Sequence, residues 1–268
     1  MLTANQTLMI AAVLACYALA AGAALMRLGR PEAIGRLPGA AVLAGGAALA
    51  AGLLGWRVVA GDGLGAIGTP FDAMTLAALL VAVEALLFGL DRRLVHLDAF
   101  LAPLAAALQL GAFGMIGPAR TAASSLTVFH AAAFAAAGSC FLAAGVAGAM
   151  FVLMHRRLRG RPDRQWFGRF PPLEALQLLG RRMLLAALPL TTVGLLIGAW
   201  QLQHTEQMAR AMGHVAGTVV LWLAAATVLG VSWLRPSKRG VWSAWAGVLV
   251  AALWIVDFVM SLAWRAAA

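Results

Sequence analysis

The sequence predicts an all-α, polytopic membrane helix bundle of about eight transmembrane helices, and three observations carry that prediction. Of its 268 residues, 63% are hydrophobic and only 11% charged, against about 25% charged in an ordinary globular domain. The apolar residues gather into runs of about 20, the length that crosses ~30 Å of hydrocarbon at 1.5 Å per residue. The bases, nineteen of the twenty being Arg, cluster beside the ends of those runs, as charges that set topology do. Ten acids and twenty bases cannot clothe a soluble protein of this length, which excludes a soluble, a disordered and a disulfide-scaffold class. The same placement explains the net charge of +10 without nucleic acid. The whole chain, 1–268, reads as a single integral membrane domain.

The spans fall at about 6–27, 38–60, 71–90, 97–116, 126–154, 183–200, 213–234 and 241–264. The first has its charges after the apolar run, at Arg27 and Arg30, the reverse of a cleaved signal peptide. It reads as a membrane helix with its N-terminus outside the cytoplasm. The second is continuous and closes on Trp56 and Arg57. The third carries Asp72 at its outer end and Glu84 past its midpoint, and the fourth has Asp98 and Pro103 in its first turns. The fifth is long enough to tilt or to project. A basic stretch from His155 to Arg182 follows, with Phe170-Pro171-Pro172 inside it. The next residues, LEALQLLGRR, read as a short helix leading into the sixth span, since Pro is tolerated at a helix start. Pro189 interrupts that span. Gly194-xxx-Gly198 and Gly213-xxx-Gly217 allow close helix approach. The seventh span opens on His214, and the eighth holds Asp257 in its outer half. Trp56, Trp200, Trp254 and Trp264 read as an aromatic belt.

Sixteen of the bases fall on one set of alternating connections and four, Arg57, Arg120, Arg210 and Arg265, on the other. Positive charge marks the cytoplasmic side in short loops, so both termini are expected outside, in the periplasm or its equivalent. The basic stretch between spans five and six is expected among anionic lipid headgroups. Cys16 and Cys140 lie inside apolar runs without CxxC spacing, which gives no redox centre and no bridge.

Ionisable groups inside or at the lip of a bilayer are costly unless used, and here they are few. His130 and His214 each sit in the first turn of an outside-to-inside helix, at nearly the same depth. Two neutral imidazoles facing each other there would suit the two axial positions of a haem iron, with Arg57, Arg120 and Arg210 as cations for the propionates. The same histidines also read as interfacial residues spanning wet and dry layers. A zinc site wants at least three protein ligands, and neither Asp72 nor Glu206 is demanded as a third by the spacing. Glu84 and Asp257 could relay protons or bind a cation, but the matching broken half-helices of transporters are missing. No nucleophile–base arrangement and no phosphate loop points to a hydrolase or an ATPase.

The layout resembles a known family. A His opening span five (FHAAAFAAAGSCFLAAGVAGAMFVLMHRRLR), the segment PPLEALQLLGRRMLL and a second His opening span seven (GHVAGTVVLWLAAATVLG) resemble the CcsA/CcmC-type cytochrome c assembly proteins, in particular their YpjD/HemX-like branch. The resemblance implies a helical membrane bundle of the bacterial inner membrane that binds or handles haem b at its outer face. It implies iron contact at His130 and His214, and partners among proteins of haem handling or cytochrome c maturation. The tryptophan-rich WxWD segment of haem-presenting members is missing, since the loop before span seven reads QLQHTEQMARAMGH. An accessory, non-enzymatic role is therefore expected. The alternatives are a cofactor-free regulatory or structural subunit, in haem-synthesis control or beside a metal-ion efflux protein, and a cation or proton carrier.

Overall fold

A computed structural model of the chain describes residues 4–29, 35–61, 63–94, 96–115, 124–159, 170–202, 208–234 and 239–266. Among them are eight α-helices and no strand: α1 Ala4–Gly29, α2 Arg36–Ala60, α3 Pro70–Phe88, α4 Asp98–Phe113, α5 Ser125–Arg159, α6 Leu173–Leu202, α7 Met208–Leu234 and α8 Arg239–Ala266. Six of the predicted spans lie within a helix, while 71–90 runs two residues past α3 and 97–116 overruns α4 at both ends. Six of the helices are long and apolar enough to cross a membrane, while Asp98–Phe113 and the Val215–Val231 part of α7 are shorter apolar stretches. The chain is a multi-pass helical membrane protein. The LEALQLLGRR segment is not a separate short helix: α6 runs unbroken over 30 residues from Leu173, with Pro189 inside it.

The helices form two compact units, Met1–Val128 with Asp163–Pro172, and Phe129–Pro162 with Leu173–Ala268. Unit 1 is a ring of four in which α1 packs on α2 and α4, and α3 on α2 and α4. The reason is written in α1. Ile10, Val13, Tyr17, Ala20 and Ala24 recur at three- and four-residue spacing and are all buried, while Leu8 and Leu19 point outward. That is the inward stripe of a helix whose other side meets lipid. Gly46 on α2 lets the rings close up, because a Cβ there would stand 2.9 Å from the Tyr17 ring.

Two ion pairs fasten unit 1. Arg27, late in α1, donates from Nη2 to Oδ2 of Asp98 at the start of α4. Arg57, late in α2, meets Asp72 at the start of α3 with Nε 2.6 Å from Oδ1, and its Nη2 donates to Oδ2 at 3.2 Å. Asp72 also closes a capping box: the Thr69 N–H donates to its Oδ2 at 3.1 Å, and its own N–H donates to Thr69 Oγ1 at 3.3 Å. Pro70 follows the cap, where a missing N–H removes nothing the helix uses,. Asp72 and Asp98 thus start helices, where the positive end of the helix dipole favours them, and each faces an arginine late in another helix.

In unit 2, α5 and α8 cross so closely that only glycine fits. A Cβ on Gly148 would collide with the carbonyl oxygen of Ala244, and one on Gly247 would stand 2.7 Å from that of Ala144. Trp254 is 6% exposed rather than part of a belt, with its indole filling the space beside Gly138. The belt expectation is corrected there, because the glycine opposite opens a slot that accepts the ring. Trp56 and Trp200 are more than half exposed. Trp222 Nε1 donates to Thr192 Oγ1 at 2.9 Å and ties α7 to α6.

Candidate functional site

The residue that the sequence singles out most strongly, His130, sits one turn into α5 and is tied to α6. Its Nδ1 lies 2.8 Å from the carbonyl oxygen of Gly194. A carbonyl only accepts, so Nδ1 carries the proton and the ring's lone pair belongs to Nε2. Phe134, one turn further along α5, meets the imidazole edge to face, with centroids 4.8 Å apart and planes at 67°.

The seat for both rings is the small-residue pair on α6. A Cβ on Gly198 would stand 2.8 Å from His130 Cε1, and one on Gly194 would stand 2.8 Å from Phe134 Cε2. Gly194-xxx-Gly198 is therefore more than a close-approach motif, since it shapes the bed of an imidazole and supplies its acceptor. Sequence reasoning finds the glycines and the histidine separately. The spacing on α5 (His130, Phe134) against that on α6 (Gly194, Gly198), both of four residues, is the signal that could join them.

His214 and Arg210 lie in the first turns of α7, and their side chains are outside the described residues. Helix arithmetic still gives the depth of His214. The Trp222–Thr192 bond fixes the register of α7 on α6. From it, His214 is eight residues outward along α7, about 12 Å, and the Gly194–Gly198 seat is roughly 3 to 9 Å outward along α6. The two histidine positions thus differ in depth by about 3 to 9 Å, between half a turn and nearly two turns. Arg120 lies outside the described residues altogether. Arg57 belongs to unit 1, where Asp72 already holds its guanidinium and its Cζ stands 5.4 Å from the centroid of the Phe71 ring.

Asp257, on α8, accepts a hydrogen bond from Thr218 Oγ1 at 3.2 Å, and its other oxygen occupies the room left by Gly217. Its carboxyl group is thus one helical turn from the position of His214 along α7. Glu84 is on α3, in unit 1, so the two carboxyls once paired as carrier candidates belong to different units. Among the described residues no group of three or more His, Cys, Asp or Glu side chains converges as a metal site would require. Filling the seat tests its role: Gly198→Val should push the imidazole off Gly194 and weaken any iron bound at Nε2 about 10–100-fold, the usual effect of losing an outer partner of a ligand, read by haem titration. Comparison of the chain with protein-family models, with curated proteins and with solved structures gives no match.

Proposed function

We propose that the chain is a non-enzymatic haem-handling protein of the cytochrome c assembly type, seated in a bacterial inner membrane with both ends outside the cytoplasm. In this reading His130 and His214 would hold the haem iron. The observation that carries the reading is the hydrogen bond from His130 Nδ1 to Gly194 O. Ligating histidines characteristically donate their other N–H to a carbonyl or carboxylate, which fixes the tautomer and points the lone pair. Phe134, edge to face with the imidazole, would give a bound porphyrin an apolar neighbour.

Haem b, when bound, would supply an iron that two imidazoles can saturate, a state suited to holding or passing the group rather than to oxygen chemistry. Arg210, in the same compact unit as both histidines, is the propionate partner in this reading. Arg57 is held by Asp72 within the other unit. The partners are haem, the surrounding bilayer and membrane proteins of haem handling or cytochrome c maturation.

The test is an absorption spectrum and a pyridine haemochrome assay on the detergent-purified chain. The expected result is a Soret band near one haem per chain, lost or strongly weakened in both His130→Ala and His214→Ala. A folded, haem-supplemented protein that stays colourless overturns the reading. A second reading, a cofactor-free regulatory or structural subunit, is favoured by the same hydrogen bond, since it also ties α5 to α6. On that reading His130→Ala lowers stability and nothing spectroscopic changes.

A further inference from the structure

We propose that unit 1 contains a hydrated half-channel, in which water enters beside Arg27, Arg36 and Asp98 and reaches a polar node made by Tyr17, Thr75 and Gln109 in the middle of the bundle. The node is the first observation. All three side chains are fully buried, and the Tyr17 hydroxyl, the Thr75 hydroxyl and both polar atoms of the Gln109 amide have no hydrogen-bond partner among the described residues. Native interiors rarely leave such atoms unmet, and ordered water is the usual partner when no side chain serves.

The second observation is that the three share a depth. Measured from the Arg27–Asp98 pair, Tyr17 is ten residues along α1 and Gln109 eleven along α4, about 15 and 16 Å. Thr75 follows Met74, whose Cε stands 2.6 Å from where a Cβ on Gly111 would be, two residues beyond Gln109. The three residues thus lie at depths within about one turn of each other, close to halfway along α1.

The third observation is a route. A narrow crevice starts among Arg27, Arg36 and Asp98 and rises between small side chains to Ala20 and Leu43. Ala20 is one turn below Tyr17 on α1, and Leu43 is one turn below Gly46, the residue that faces the Tyr17 ring. At the mouth of the crevice, Arg27 Nε and Asp98 Oδ1 add a further donor and acceptor with no hydrogen-bond partner among the described residues. Polar groups thus stand at the two ends of the path, with small apolar side chains between them, and those at the node are neutral. That chemistry suits water. A hard cation would want more oxygen ligands than two hydroxyls and one amide provide. Water confined to the bundle interior is also how membrane proteins carry polar groups at this depth.

Cysteine reactivity tests the route, since thiolate forms in water and not in lipid. In a chain carrying Cys16→Ala and Cys140→Ala, Ala20→Cys is compared with Leu19→Cys, its lipid-facing neighbour at the same depth. A small hydrophilic methanethiosulfonate should modify Ala20→Cys at least about tenfold faster; should that variant fail to fold, Ala23→Cys lines the same crevice and takes its place. Tyr17 is the sole tyrosine, so the tyrosine doublet in the Raman spectrum of the unaltered chain reads one phenol. A hydrogen-bonded phenol together with fast labelling supports the half-channel. An unbonded phenol overturns it. A bonded phenol with equally slow labelling at both positions also overturns it, because Tyr17 and Gln109 would then bond directly in a dry core.

Discussion

Replacing Asp72 with alanine is expected to lower the stability of the folded protein by about 3–5 kcal/mol, the cost of leaving one member of a buried ion pair alone. Asp72 is 2% exposed and Arg57 is 15% exposed at the side chain, so water cannot readily stand in for the lost carboxylate. The same change removes the acceptor of the capping box at the start of α3, worth about 1 kcal/mol. Asp72→Asn separates the two effects, because its side-chain oxygen can still accept from the Thr69 N–H while the charge is gone. Arg57→Leu should be nearly as damaging as Asp72→Ala. The double replacement Arg57→Leu with Asp72→Leu should cost less than either single change, since it leaves no charge stranded. Reversible unfolding in mixed micelles, followed by helical circular dichroism, measures all four. Equal stability of Asp72→Ala and the wild type would show that the pair is solvated and carries nothing.

Gly148→Ala is the second large effect. The Cβ it adds would run into the carbonyl oxygen of Ala244, a backbone atom on a facing helix that no rotamer change can move. Overpacking of this kind costs typically about 1–3 kcal/mol and can exceed that; here relief requires α5 and α8 to separate along their whole crossing, which would also weaken the contacts at Gly145 and Gly247. Gly52→Ala is the matching control. A Cβ at Gly52 meets nothing within 4 Å, so in the interior of α2 the change should be neutral or stabilise by up to about 1 kcal/mol. Thermal unfolding of the two variants side by side should place their midpoints on opposite sides of, or at least well apart around, the wild-type value.

The apolar runs are readable because a bilayer imposes one ruler on every span, and six of the eight fall within a helix. Where the ruler stops applying, the reading loses precision. Arg181 and Arg182 mark an end of hydrophobicity, but a helix needs only backbone hydrogen bonds to continue, and α6 passes through both. Counting bases by side assigns Arg27 to topology, while the structure spends it on Asp98. A charge count records which end of a helix a residue occupies, and not which acid starts the helix beside it. His130 stands out as an ionisable group at a membrane lip, yet its partner is a backbone carbonyl, a group every residue owns and no residue type announces. Tyr17 had its signal, the same three- and four-residue spacing as Ile10, Val13 and Ala20, but a neutral phenol draws less attention than a charge. By residue type Trp254 reads as interfacial, and the glycine that accommodates it, Gly138, lies far away in sequence.

The brevity of α4 has a consequence for the lipids themselves. Its 16 residues rise about 24 Å, some 6 Å less than the ~30 Å of hydrocarbon. The salt bridge from Asp98 to Arg27 anchors its first turn, so the helix cannot slide to share the shortfall between its ends, and the deficit gathers near Phe113. Leu110 and Phe113 face outward there. Where α4 crosses a bilayer, acyl chains beside Phe113 would have to shorten or splay, at fractions of a kcal/mol for each ångström, which would make a lopsided elastic dent in one leaflet. Such a dent draws shorter-chain lipids to one flank and gives the bilayer a preferred side from which another thin membrane protein would approach.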